Sequence, residues 1–301
     1  MKVALTIDDL PTWPHSPYPE GYTSENIANK IIKALDKTKI TGVYAFSNSW
    51  PLIKTPTQSQ IFDKWVQAGH HIGNHTHSHP NLNNVTAEEY IKDIDLAEKY
   101  LEPWLKNAPR KLFRYTLNLW GNTNEKLVKV KNHITSSGYS IAEMTTLFYE
   151  WDWNHAYFAC ILSKDVDELE SLKTSFIDFS VAQLKYDQVE AAKWFGHEVL
   201  GIIIVHNVPF FAEVVEELLV HLVSEGVMFI SLEEAMTDPI YVYAASVVSD
   251  TQRALGIHQK LADAEGASIP RIVPEFEKVH NRVIKMGEHI RSTQRRNMAL
   301  K

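Results

Sequence analysis

"MKVALTIDDLP", residues 1–11, is a short apolar run that ends in two carboxylates and a proline. Its centre, "VALTI" (3–7), reads as a buried strand stopped by Asp8 and Asp9. Downstream, the chain keeps one rhythm. "PTWPHSPYP" (11–19) has four prolines in nine residues and reads as a loop. Ile27, Ala28, Ile31, Ile32 and Leu35 then recur at helical spacing, with Ser24 as a cap. "GVYAF" (42–46) is the next strand, and "SQIFDKWVQAG" (59–69) is a helix closed by Gly69. "HIGN" (71–74) is a third strand. A helix over 86–105 follows, opened by a Thr86/Glu89 capping box.

The alternation continues with "KLFRY" (111–115), a helix over 124–138, "YSIAEM" (139–144) and a long helix from about 165 to 195. "GIIIVHN" (201–207) is the clearest strand, rich in β-branched residues. A helix over 211–225, "VMFI" (227–230) and "SLEEAM" (231–236) complete the pattern. Strands alternating with helices make parallel βαβ units, and seven strands in about 230 residues suit a barrel better than an open sheet. Residues 238–301 break the rhythm. They look mostly helical, with "IYVYAASVV" (240–248) as the one strand-like run. The expected organisation is a catalytic barrel over 1–237 and a C-terminal helical extension over 238–301 packed on it. Leu255, Leu261, Ile272, Val279, Val283 and Ile284 would be buried, and the extension would act as a brace that leaves the site intact.

Composition bounds the function. A net charge of −7 argues against nucleic acid as the main partner. Cys160 is the single cysteine, which excludes an internal disulfide and a cysteine-based metal site. No uninterrupted apolar stretch is long enough to span a bilayer. No signal peptide is visible, so a cytoplasmic location is expected unless a leader has been removed.

"GHHIGNHTHSHPNL" (69–82) holds five of the chain's 14 histidines. His75 and His79 are four apart, a spacing that lets two imidazoles reach one metal ion. Pro80 disfavours helix at His79, so the segment is a single helical turn or a tight loop after the third strand. His77 then points elsewhere, and His70 and His71 face outward or cap the strand. Two histidines alone are a weak signal, since such pairs also occur as hydrogen-bonded loop residues. Asp8 and Asp9 strengthen it. Adjacent carboxylates on an extended chain point to opposite sides, so one can bind a metal while the other faces substrate. An aspartate, two histidines and an open position make a catalytic zinc set.

In order along the chain, these motifs resemble those of the polysaccharide deacetylases, carbohydrate esterase family 4. "TIDDL" (6–10) is similar to the family's Thr-Phe-Asp-Asp-Gly, and "GNHTHSH" (73–79) matches its Gly-Asn-His-Ser/Thr-x-x-His in full. "RYTL" (114–117) keeps only the arginine of Arg-x-Pro-Tyr. "DW" (152–153) stands for the fourth motif and "IVH" (204–206) for Leu-x-His. The resemblance implies a distorted (β/α)7–8 barrel that takes acetyl groups from acetylated saccharides. It implies one divalent ion held by Asp9, His75 and His79, zinc first, with cobalt, nickel or iron(II) also suitable. Asp8 would be the general base, Arg114 its partner, His206 the general acid and Asp152 the residue that orients His206. The oxyanion would lie near the Leu117 N–H. Independently of the motifs, Asp8, Asp9, His75, Arg114 and His206 all fall at or just past strand C-termini, where barrel active sites lie.

Aromatic residues in the loops (Trp13, Tyr18, Trp50, Trp120, Trp151 and Trp153) suggest stacking on sugar rings, with Trp153 the first choice. The departures in "RYTL" and "DDLP" leave substrate preference open. Three other readings compete. One is a C–N hydrolase of a small non-sugar amide. The second is a non-haem iron oxygenase, which shares the two-His-one-carboxylate set but needs no acid–base pairs. The third is a sugar-binding pseudoenzyme, which would need no intact metal set.

Overall fold

The computed structural model describes residues 1–12 and 18–299, so Trp13 and the middle of the proline-rich loop lie outside it. The elements run β1 (Lys2–Leu10), α1 (Ser24–Thr38), β2 (Tyr44–Ser47), α2 (Trp50–Lys54), α3 (Ser59–Gln67), β3 (His71–Asn74), α4 (Ala87–Leu105), β4 (Leu112–Phe113) and α5 (Asn124–Ser136). They continue with β5 (Ser140–Ile141), β6 (Thr146–Leu147), α6 (Glu150–Ser163), α7 (Val166–Phe195), β7 (Gly201–His206), α8 (Pro209–Ser224), β8 (Met228–Phe229), α9 (Leu232–Ala235), α10 (Ile257–Ala264) and α11 (Glu277–Ala299).

All the strand pairings are parallel, in the order β5-β4-β3-β2-β1-β7-β6, with β8 beside the start of β1. This is a curled half-barrel with its helices outside, the distorted (β/α) barrel expected from the sequence. β1 lies at its centre and is buried along all but its first residue, because it is covered on both faces. Since the strands are parallel, their C-terminal ends share one rim. The Thr86/Glu89 capping box that opens α4 forms as read.

The sheet ends at β5 and β6, and the C-terminal extension fills the opening between them. The Ile257 N–H donates to the Met144 carbonyl at 2.9 Å, in the link joining those strands. Gly256 passes so near that a Cβ there would lie 2.5 Å from the Thr145 carbonyl oxygen. The strand-like "IYVYAASVV" is instead a 3-10 turn over Pro239–Tyr243 followed by coil. Asp238 caps that turn at the Ile240 N–H (3.1 Å) and also holds the Leu200 N–H (2.9 Å). Local capping and burial of Ile240 and Tyr241 therefore override the β-propensity of the run.

Leu255, Leu261 and Val283 are buried in the extension, and Ile272, Val279 and Ile284 are half-buried. α11 lies along α6 and approaches closest at Gly287, where a Cβ would sit 2.6 Å from His155 Cβ and 3.0 Å from the Ala156 nitrogen. Alanine normally gains about 1 kcal/mol over glycine inside a helix. Here the added methyl meets backbone that cannot yield, and overpacking of about 1–3 kcal/mol outweighs that gain. Gly287→Ala should therefore lower the midpoint of urea unfolding; a raised midpoint would mean that the two helices are not in contact there.

Candidate active site

The site begins with a break in β1. Asp8 pairs with Phe46 of β2 and Leu10 pairs with Ser47, which leaves Asp9 as the extra residue of a bulge, at φ 66°. A bulge re-aims side chains. Asp8 and Asp9 consequently line the same cavity, whereas an extended chain would have pointed them to opposite sides. His75 Nε2 lies 3.7 Å from Asp8 Oδ2 and 3.8 Å from Asp9 Oδ1.

His75 and His79 are brought to this point by a tight loop after β3, not by a helical turn. Thr76 and His79 both have positive φ (71° and 57°). The Asn74 side chain accepts from the Thr76 N–H (2.8 Å), and the Asn48 amide donates to the His75 carbonyl (2.5 Å). Leu117 (φ 53°) and Asn118 (φ 53°) also line the cavity. Left-handed non-glycine residues cost about 1–3 kcal/mol each and collect where function requires them. His77 turns away, bonded to Ser49 Oγ (2.7 Å). His71 opens β3, but His70 is buried against Trp65, where its Nδ1 faces the Val43 N–H (3.3 Å), so it does not face outward.

Asp9, His75 and His79 present ligand atoms within 4.8 Å of one another. Tetrahedral ligands about 2.1 Å from zinc lie about 3.4 Å apart, and the Asp9 Oδ1 distances here are 3.5 Å to His79 Nε2 and 3.8 Å to His75 Nε2. Two further observations fit a cation. Both Asp9 carboxylate oxygens are buried without a hydrogen-bond partner among the described residues. Burial pushes Asp9 up to about 8, against the pull of His206 and with Asp8 and Glu150 adding. With no cation beside it, its ionised form is disfavoured relative to that of an exposed aspartate by on the order of several kcal/mol, and at neutral pH it would mostly keep its proton. His75 Nδ1 donates to the Arg114 carbonyl at 2.8 Å, which places the proton on that nitrogen and leaves the Nε2 lone pair facing the cluster as a ligand.

Arg114 is fully buried over the Phe46 ring (4.0 Å). Its Nη1 donates to Asp8 Oδ1 and to Thr6 Oγ1, each at 2.7 Å, and Thr6 Oγ1 donates in turn to the Ile203 carbonyl (2.7 Å).

His206 ends β7 and lines the same cavity. Its partner is Glu150, which sequence reasoning missed. Glu150 Oε1 accepts from both the His206 backbone N–H (2.7 Å) and Nδ1 (2.5 Å) and is wholly buried. Burial alone lowers His206, but the charge and hydrogen bond of Glu150, aided by Asp9 and Asp8, outweigh it and push the imidazole up to about 9.

Asp152 does not orient His206. It holds α11 instead, accepting from Arg291 Nη2 (2.5 Å) and pairing with His280 Nε2 (3.0 Å). The reason is helical geometry: positions two apart on α6 point about 200° away from each other, so Glu150 and Asp152 cannot both meet His206. Trp153 is likewise not a groove residue. It is fully buried, stacked on Phe179 (4.7 Å) and His280 (5.3 Å). The cavity aromatic is Trp151, edge-on to His206 at 5.1 Å. Trp120 is buried too.

The cavity measures about 670 Å³. Asp8, Asp9, His75, His79, Leu117 and His206 line its barrel side. Gln252, Arg253, Arg271, His280, Ile284 and Arg291 line it from the extension, which thus forms one wall of the cavity.

Comparison with known proteins agrees with this architecture. Residues 1–135 match the family model for polysaccharide deacetylase. A peptidoglycan-N-acetylglucosamine deacetylase of Bacillus cereus is 35% identical over 111 residues, covering 36% of this chain and 34% of that protein. The chain therefore spans about a third of the length of that relative. Among solved structures, a CE4 family pseudoenzyme from Bacillus anthracis superposes with a TM-score of 0.51 at 14% identity, over 78% of this chain and 64% of that one. A peptidoglycan N-acetylglucosamine deacetylase gives 0.50 at 20% identity, over 78% and 87%. Among the described residues, no helix is long and apolar enough to cross a membrane. The family match thus falls on β1 to α5, within the first 135 residues, and beyond it the half-barrel has the fold of these solved structures.

Proposed function

We propose that the chain is a metal-dependent hydrolase that removes acetyl groups from acetylated saccharides. One observation carries this reading: the Asp9/His75/His79 donor set, the Asp8–Arg114 pair and the His206–Glu150 pair converge on one cavity. A pseudoenzyme or an oxygenase needs no such pair of opposed acid–base groups. Asp9, His75 and His79 would hold a divalent ion, zinc first by the chemistry of the set. When bound, it supplies Lewis acidity toward the acetyl carbonyl and the attacking water.

The protein's own groups do the proton work. Asp8, held in place by Arg114, takes a proton from water in the transition state. His206, kept protonated by Glu150, returns one to the departing nitrogen or oxygen. The Leu117 N–H, on a wall residue at φ 53°, is the donor assigned to the developing oxyanion. Trp151 is the ring against which a pyranose face would stack.

Acetate release from chitin oligomers, peptidoglycan fragments and acetylxylan, with and without zinc or cobalt, tests the reading. Failure on all of them in metal-loaded protein would overturn it. The extension's wall favours one second reading, a C–N hydrolase of a small non-sugar amide, and N-acetylated amino compounds belong in the same panel. Asp8→Asn should bind the ion as wild type does and lose turnover by about 10²–10⁴-fold, as removal of a general base does. Metal content falling together with turnover would show that Asp8 is a ligand and that the two aspartates exchange roles.

A further inference from the structure

The charges in the cavity wall do not balance, and the imbalance lies in the extension. Asp8 is matched by Arg114, Asp152 is matched by Arg291, and Asp9 belongs to the metal donor set. Among the described residues, the arginines in salt bridges are Arg114, Arg282 and Arg291. Arg253 and Arg271 are in none, yet both line the cavity. Arg271 is half-buried over the Tyr149 ring (5.4 Å), and its Nε is buried with no hydrogen-bond partner. A guanidinium left in that condition has donors to spare for a ligand.

Both arginines also line a second cavity of about 780 Å³, walled wholly by residues 251–284 and sharing Arg253, Arg271, His280 and Ile284 with the first. They therefore stand where the two spaces meet. The carboxylates of the second cavity, Asp263 and Glu277, reach neither arginine in a salt bridge. A substrate whose acetyl group sits at Asp9, His75 and His79 would carry its far end past this pair.

We propose that Arg253 and Arg271 form an anion subsite, and that the substrate is an acetylated compound bearing an acidic group, carboxylate or phosphate, away from its acetyl. This rests on the deacetylase reading of the metal-side cavity. Guanidinium forks suit both kinds of oxyanion, and such charge-assisted bonds are about twice as strong as neutral ones. A matched anion should therefore raise kcat/KM by about tenfold or more over the neutral compound, with an advantage that falls as salt is added.

The test uses the zinc-loaded full chain and three probes: N-acetylglucosamine, N-acetylglucosamine 6-phosphate and N-acetylmuramic acid. Acetate release gives kcat/KM, and calorimetry gives binding. At least one acidic probe should exceed the neutral one by about tenfold in both, and the phosphate and carboxylate arms identify the favoured anion. Arg253→Gln/Arg271→Gln should collapse that ratio. Arg253→Gln alone, at an exposed position, should lower it partway and serves where the double variant fails to fold. Equal kcat/KM for all three probes, or a ratio that survives in the variants, overturns the anion subsite while leaving the deacetylase reading in place. If none of the three releases acetate, binding decides. Tighter binding of an acidic probe that the variants abolish keeps the subsite and leaves the deacetylase reading to the saccharide panel above, whereas equal or absent binding removes the subsite.

Discussion

Purified His75→Ala protein should retain almost no zinc, while His77→Ala, two residues away in the same loop, should retain about one ion per chain. The contrast follows from where the rings point. His75 is buried, with Nδ1 committed to the Arg114 carbonyl and Nε2 facing Asp9, whereas His77 is bonded to Ser49 and stacked on Tyr100. Hydrolysis in His75→Ala should fall by at least about 10³-fold, since it loses the ion's Lewis acidity as a whole. Stability gives a readout besides activity. Asp9 in the metal-free fold is raised by burial to about 8, above its ordinary 3.8. A raised pKa means that its contribution to stability is full below the ordinary value and is lost as pH rises through the folded one. Metal-free protein should therefore lose stability between about pH 4 and 8, and zinc should restore it most at the upper end. Saturation at a hundred times Kd adds about 2.7 kcal/mol by mass action. Thermal unfolding across that pH range, with zinc and with chelator, would show it. Equal zinc loss from His75→Ala and His77→Ala would remove the assignment.

Much of the barrel was legible because its strands are either apolar runs or bounded by strong helix signals. β1, β3 and β7 stand out by composition, and α4 by its capping box. Legibility fails where burial is all-round. α6, "EWDWNHAYFACILS", has no amphipathic stripe because α11 covers the face that would otherwise meet solvent, and nine of its residues from Glu150 to Cys160 are buried. Read without a helix, its two acids could be ranked only by the short Asp-Trp match, which selected Asp152 over Glu150. A signal was present: two acids at i and i+2 just past the sheet's last strand diverge if the segment is helical, and the first lies nearer the strand end. β6 went unseen because two residues, Thr146 and Leu147, carry no periodicity. The bulge at Asp9 was invisible for a different reason. A positive φ at aspartate is imposed by the fold around it, and nothing in "TIDDLP" demands it. The extension's place in the cavity wall is likewise a matter of long-range packing, since the residues that meet the metal-side groups lie more than 170 positions along the chain from His79.

Glu150→Gln should cut turnover by about 10²–10³-fold and move the alkaline limb of the kcat profile to lower pH, while Asp152→Asn should leave that limb in place. Burial lowers His206, and the Glu150 charge and hydrogen bond raise it past its ordinary value to about 9. Glutamine keeps the shape and can still accept from the backbone N–H, but it carries no charge, so the balance tips toward burial and the imidazole loses its proton at lower pH. A bound cation near Asp9 would lower the wild-type value as well, because it offsets the charge of Asp9, one of the groups that raise His206. The informative quantity is therefore the difference between variant and wild type under equal metal loading, and its sign is fixed by which charge is removed. Asp152→Asn removes a charge that faces Arg291 and His280 across the α6–α11 contact. Its cost should appear in unfolding, at about 1–3 kcal/mol for weakened charged hydrogen bonds, with metal content unchanged. If Asp152→Asn instead moves the alkaline limb and Glu150→Gln does not, His206 exchanges partners during turnover, and the short Asp-Trp match would have identified the working residue after all.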